Sequence, residues 1–281
     1  MNTAHSRTRT RMRHWLVVGA LTTTLLGAGM IGTAAASSSS TVTRSAHKPT
    51  IVLVHGAWAD SSSWSAVTRR LQDQGYTVDV VPDPLRGLAS DSAYVASFLS
   101  TIEGPVVLVG HSYGGAVITD AATSAPNVKA LVYINAFAPD QGETILQLVT
   151  ADPGSALAGN PADIFNVVPY AGGADLYVKQ SVFPQAFAND LPPKEAAVLA
   201  ATQRPLAEAA ITQPSGPPAW KTIPSWYFVG TADHVIPPAE QEFMAARMHA
   251  HTVEVYASHM SMMSRPDQVT KLILDAAESV S

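Results

Sequence analysis

The chain has 281 residues, 47% of them hydrophobic and 14% charged, which is apolar enough for a sizeable core and excludes a disordered chain. A net charge of −5, with no basic cluster beyond the first residues, gives no support to binding nucleic acid or an anionic membrane. The lack of cysteine excludes disulfides, thiolate metal sites and a cysteine nucleophile.

The first 36 residues read as a signal peptide. Arg7, Arg9, Arg11 and Arg13 form a basic start, 15–31 is an apolar stretch, and Ala34-x-Ala36 offers a cleavage site. The arginines alternate with other residues, so the pair of a twin-arginine signal is missing. An uncleaved anchor is the competing reading, and the threonines and glycines of the stretch count against it. Cleavage removes four of the 17 basic residues and none of the 22 acidic ones, moving the net charge from −5 to −9. The expectation is a secreted chain with a polar leader over 37–48 and no stable membrane association.

Strands and helices are then expected to alternate. Strand 50–55 is followed by helix 61–74, in which Trp64, Val67 and Leu71 share a face and Gly75 is the stop. Strand 77–81, helix 91–102, strand 106–109, helix 113–124 and strand 129–134 follow. Over 139–220 the pattern fails, leaving prolines, short helical pieces and the aromatics Phe165, Tyr170, Tyr177, Phe183 and Phe187. It resumes with strand 225–229, helix 239–248, strand 252–256 and helix 266–279. The expected fold class is α/β: a mostly parallel central sheet with helices on both faces, its core at 49–138 and 221–281. The stretch 139–220 is expected to be a helical lid, because insertions of this length in a regular fold commonly cover a site.

The strongest chemical signal is Gly110-His111-Ser112-Tyr113-Gly114, placed between a strand and a helix. A serine at such a turn is strained and presents its Oγ at the top of the sheet, with backbone N–H groups beside it, so Ser112 is the candidate nucleophile. The acid and base of this arrangement come later in the chain, each after a strand. Asp233 follows strand 225–229 and His259 follows strand 252–256, completing a Ser112, Asp233, His259 triad. Asp140, after strand 129–134, is the runner-up acid. His111 is expected to pack or to orient a neighbour. His249 and His251 flank a helix end without a third ligand, so no metal is expected. The oxyanion donors are expected to be the N–H groups of Tyr113 and of Ala57, in the loop His55-Gly56-Ala57-Trp58.

With these motifs the chain resembles the α/β-hydrolase superfamily over most of its length after the signal segment. His55-Gly56-Ala57-Trp58 with Trp64, the Gly-His-Ser-Tyr-Gly-Gly turn and Ser258-His259-Met260 resemble one branch, which holds plant methylesterases, hydroxynitrile lyases and bacterial esterases. The lyases carry a threonine and a lysine where this chain has Gly56 and Met260, as the esterases do. The resemblance implies a serine esterase of small carboxylic esters, needing no cofactor, with an acyl-enzyme on Ser112. Lactonase, amidase, lyase and cofactor-free haloperoxidase chemistry, or ligand binding without turnover, are the alternatives. Trp58, Tyr177, Phe183, Phe187 and Met260 are expected to line the substrate pocket.

Overall fold

Two runs, Ile51-Val-Leu-Val54 and Val106-Val-Leu-Val109, have no polar face, and neighbouring residues of a strand point to opposite sides. Such strands are stable only when both sides are covered. In the computed structural model, which describes residues 48–280, all eight of these residues are fully buried. The expected signal peptide and all but the last residue of the expected leader lie outside the described residues.

The strands are β1 (Thr50–Val54), β2 (Val78–Val81), β3 (Val106–Ser112), β4 (Val128–Ala136), β5 (Phe165–Tyr170), β6 (Gly173–Val178), β7 (Leu206–Ala207), β8 (Ser225–Gly230) and β9 (His251–Val255). Six of them form one sheet in the order β2-β1-β3-β4-β8-β9, with every pairing parallel. The first three α-helices are α1 (Ser65–Asp73), α2 (Leu88–Leu99) and α3 (Tyr113–Ala121). The middle of the chain adds α4 (Ile145–Val149), α5 (Pro161–Ile164), α6 (Phe183–Phe187), α7 (Pro193–Thr202) and α8 (Glu208–Thr212). The chain ends with α9 (Pro238–Arg247), α10 (Ser261–Ser264) and α11 (Pro266–Glu278). Helix α1 packs against α11 and α2 against α3. None of the described helices is long and apolar enough to cross a membrane.

The 139–220 insertion is less helical than expected. It carries β5, β6 and β7 as a separate antiparallel sheet in that order, between its short helices. Pro169 and Gly173 obscure these strands in the sequence. Proline is tolerated because β5 is an edge strand, where a missing N–H leaves no ladder partner unsatisfied.

The turn after β3 forces α3 close to the end of β1. A Cβ on Gly114 would lie 2.7 Å from the His55 carbonyl oxygen and 2.8 Å from that of Val54. Gly114→Ala should therefore push α3 off β1 and destabilise the fold by about 1–3 kcal/mol, seen as a lower urea midpoint with an unchanged m-value.

Candidate active site

Ser112 ends β3 and precedes α3, with φ 53° and ψ −123°, a conformation that a side-chain-bearing residue rarely adopts. Its carbonyl accepts a hydrogen bond from the Phe137 N–H at 3.1 Å, so the strained turn is held from the β4 side. Ser112 lines a mostly apolar cavity of about 290 Å³.

His259 follows β9 and is fully buried. Its Nδ1–H donates to Asp233 Oδ2 at 2.8 Å, which leaves Nε2 as a lone pair, and that nitrogen is buried without a partner. Asp233 is held from all sides. Oδ1 accepts from the Val235 and Ile236 N–H groups at 2.7 and 3.0 Å. Oδ2 accepts from His259 and from the side-chain amides of Asn135 and Gln241, both at 3.0 Å. The His259 ring lies between His111, 4.7 Å away between centroids, and Phe187 at 5.3 Å. His111 donates its Nε2–H to the His259 carbonyl oxygen at 2.8 Å, orienting that residue's backbone. Burial, and then the His259 ring beside it, hold His111 well below the ordinary histidine range, so it stays neutral.

Asn135 and Gln241 escaped the sequence reasoning. Asn135 did leave a signal, as the single amide in the buried run Ala130–Ala138, and its φ of 43° marks where β4 bends toward the acid loop. Asp140, the alternative acid, is turned to the surface, where Lys221 pairs with it and holds its carboxyl below the usual range. His251 stacks on Trp226, and with His249 it lines a separate surface depression.

Both expected oxyanion donors border the cavity. Tyr113 begins α3, where a helix leaves its N–H groups without intrahelical acceptors. No intramolecular acceptor meets the Ala57 N–H among the described residues. The Tyr113 phenol is turned away from the cavity and donates to the buried Asp91 at 2.9 Å.

The wall is only partly as expected. Trp58 does line the cavity, its ring stacked on Phe165 and its indole N–H donating to the Leu176 carbonyl oxygen at 2.8 Å. Tyr177 does not line it. Alternation along β6 sends Leu176 toward the cavity and Tyr177 to the other side, over a shallow depression with Asn166 and Val168. Phe183 and Phe187 stack on each other at 4.5 Å, with Phe187 behind His259, so they buttress the histidine and are not cavity residues. Met260 is buried in a neighbouring space of about 30 Å³ with Trp58 and Phe183. The missing wall comes from Ile145, Val149, Phe165, Val167, Leu176 and Ile211, all in the insertion. Among the described residues lining the cavity, no side chain is cationic and Glu208 is the one acid.

A family model described as the alpha/beta hydrolase family matches residues 51–272. The chain belongs to that family. It is 28% identical over 257 residues to a pyrethroid hydrolase of Sphingobium wenxiniae, covering 82% of this chain and 88% of that protein. It is 26% identical over 256 residues to methylesterase 18 of Arabidopsis thaliana, covering 82% and 97%. Among solved structures, a pyrethroid hydrolase from Sphingobium faniae JZ-2 matches with a TM-score of 0.67 at 26% identity, over 82% of this chain and 98% of that one.

One more histidine of this alpha/beta hydrolase is buried beside the site. Desolvation, with the nearby Arg204 charge adding to it, lowers His55 from 6.5 to about 4. Below pH 6.5 the unfolded chain takes up a proton on this ring that the folded chain refuses. His55 should therefore cost stability as pH falls from about 6.5 to about 4, by about 3 kcal/mol in all. Unfolding free energies at pH 7 and pH 4.5 test this: the drop should be smaller in His55→Gln than in the wild type.

Proposed function

We propose that this chain is a secreted serine esterase that cleaves neutral, largely apolar carboxylic esters through an acyl-enzyme on Ser112. The observation that carries the reading is the His259 ring. One of its nitrogens is fixed by Asp233 and the other is buried and unengaged, while the ring packs on His111, the residue before a strained serine that opens into an apolar cavity. The relatives named as a pyrethroid hydrolase and a methylesterase support an ester as the substrate class.

His259 Nε2 takes the Ser112 proton as Oγ adds to the ester carbonyl. The N–H groups of Ala57 and Tyr113 receive the negative oxygen of the tetrahedral intermediate. Collapse expels the alcohol, which takes the proton back from His259. Water, deprotonated by the same nitrogen, then adds to the acyl-enzyme and releases the acid. Asp233 keeps the proton on Nδ1 throughout and steadies the imidazolium while it exists. The 139–220 insertion serves as the lid, since it supplies most of the cavity wall. With no cationic lining side chain and with Glu208 present, anionic acyl groups are disfavoured, and the carboxylate product gains nothing by staying.

Hydrolysis of p-nitrophenyl esters from acetate to decanoate tests the reading. KM should fall as the acyl chain lengthens into the cavity. Ser112→Ala should lower kcat on the order of a millionfold, and Asp233→Asn on the order of 10⁴-fold because an amide favours the wrong histidine tautomer. A wild type inactive on every ester would overturn the proposal. Secretion is tested separately: protein recovered from the medium should begin after Ala36.

A further inference from the structure

The Gly56 carbonyl and the Ala57 N–H belong to one peptide, and in a trans peptide they point in opposite directions. Whatever holds the carbonyl therefore aims the N–H. The Gly56 carbonyl oxygen lies 2.8 Å from Nδ1 of His55. The other ring nitrogen, Nε2, faces the Asp83 N–H at 3.0 Å and Nη1 of Arg204 at 3.4 Å. A nitrogen met by two donors must present its lone pair, which places the ring proton on Nδ1, where it donates to Gly56. The opposite tautomer would turn two lone pairs toward each other at one end of the ring and three N–H groups at the other.

Arg204 is the member of this group that comes from the insertion; His55, Gly56 and Asp83 belong to the core. Its Nη1 also donates to the Asp83 carbonyl oxygen at 3.0 Å, fixing the backbone segment that supplies the other donor to His55. The contact is part of a seam between the insertion and the loop after β2. Along that seam the Ala207 N–H donates to the Leu85 carbonyl, and Arg86 bonds to the Pro205 carbonyl and to Asp175. Arg204 is where this seam reaches the ring that holds the oxyanion peptide. That peptide has no slack, because a Cβ on Gly56 would lie 2.6 Å from the Ser112 Cβ.

We propose that Arg204 is a positioning residue: by holding His55 as the Nδ1–H tautomer it aims the Ala57 N–H, so that seating of the insertion and assembly of the oxyanion hole are one event. The catalytic consequence rests on the serine-esterase reading above. The tautomer assignment does not.

Three variants and two readouts test it. The His55 ring proton is located by long-range ¹H–¹⁵N correlation in the wild type and in Arg204→Met, Arg204→Lys and Arg86→Met. Steady-state kinetics on a p-nitrophenyl ester are paired with the affinity of an alkyl trifluoromethyl ketone, whose adduct with Ser112 carries the oxyanion. The wild type should show the proton on Nδ1, and Arg204→Met should show a mixture. That variant should lose about ten- to a hundredfold in kcat and a similar factor in ketone affinity, with KM within about threefold, since a misaimed donor forfeits part of what a missing one costs. Arg204→Lys should recover part of the loss. Arg86→Met, which removes two seam contacts but leaves those of Arg204 and Ala207 in place, should lower the melting temperature and leave kcat as it was. A wild-type ring protonated on Nε2 overturns the proposal, as does an Arg204→Met variant with unchanged kcat and ketone affinity or with losses no different from Arg86→Met. If the wild type turns over no ester, the esterase reading fails by itself, and the ring proton in wild type and Arg204→Met still decides whether Arg204 sets the tautomer.

Discussion

The hydrogen bond from His259 Nδ1–H to Asp233 is the contact on which the site depends, because it fixes the proton at one end of the ring and leaves Nε2 bare at the other. An unpartnered buried nitrogen costs free energy, on the order of 1–3 kcal/mol, and a fold keeps one only where the surroundings over-determine it. Here the over-determination is visible. Asp233 accepts from two backbone N–H groups and two amides besides the histidine, so the carboxylate cannot rotate to follow the ring. The ring is clamped by His111 and Phe187, and its own carbonyl is bound by His111. A lone pair held open in this way suits the base that the proposed mechanism requires, and Ser112 is presented beside the cavity by a strained backbone.

The parallel sheet was legible because its signal is strong and local. Runs such as Val106–Val109 admit no solvent-facing side, and the expected strands agree with the observed ones to within a few residues. The main difference is at the end of β3, which continues to Ser112 because the turn itself is still paired with β4. The positions of Ser112, Asp233 and His259 were legible for a related reason: in a sheet of this kind strand ends converge on one edge, so a residue's place after a strand predicts its neighbours. The cavity wall was not. Tyr177 and Leu176 differ by one position on β6, and only knowledge that 173–178 is a strand, in a given register, separates the one that faces the cavity from the one that does not. Phe183 and Phe187 are aromatic for the sake of packing behind His259, and composition alone cannot tell a buttress from a wall.

Asn135 and Gln241 show a second kind of illegibility. Each meets Asp233 through a side-chain amide, from 98 and 8 positions away in the chain respectively, and no spacing rule connects them. The Asn135 amide also donates toward the Ser258 carbonyl, and its oxygen accepts from the Ser261 hydroxyl at 2.6 Å. One side chain on β4 thus ties the acid loop to the histidine loop. A carboxylate with five hydrogen bonds and an amide bridging two loops leave Asp233 and His259 little freedom to drift apart.

Three histidines meet near Ser112, and their surroundings give them different tasks. His55 and His111 each use one ring nitrogen to hold a backbone carbonyl, of Gly56 and of His259, and both are kept from taking a proton by desolvation. A positive charge on either would sit close to the imidazolium that the proposed mechanism forms on His259, and would oppose it. Neutral rings in those two places do the opposite: they fix the Gly56 carbonyl and the His259 backbone without adding a charge beside the His259 ring. What separates His259 from the other two is the carboxylate. His111 also has a buried nitrogen without a partner, Nδ1, but its opposite N–H rests on a neutral carbonyl, which stabilises an imidazolium far less than Asp233 does. A bare lone pair alone therefore does not set one ring apart, and in the proposed mechanism the anchored carboxylate decides which of the three takes the serine proton.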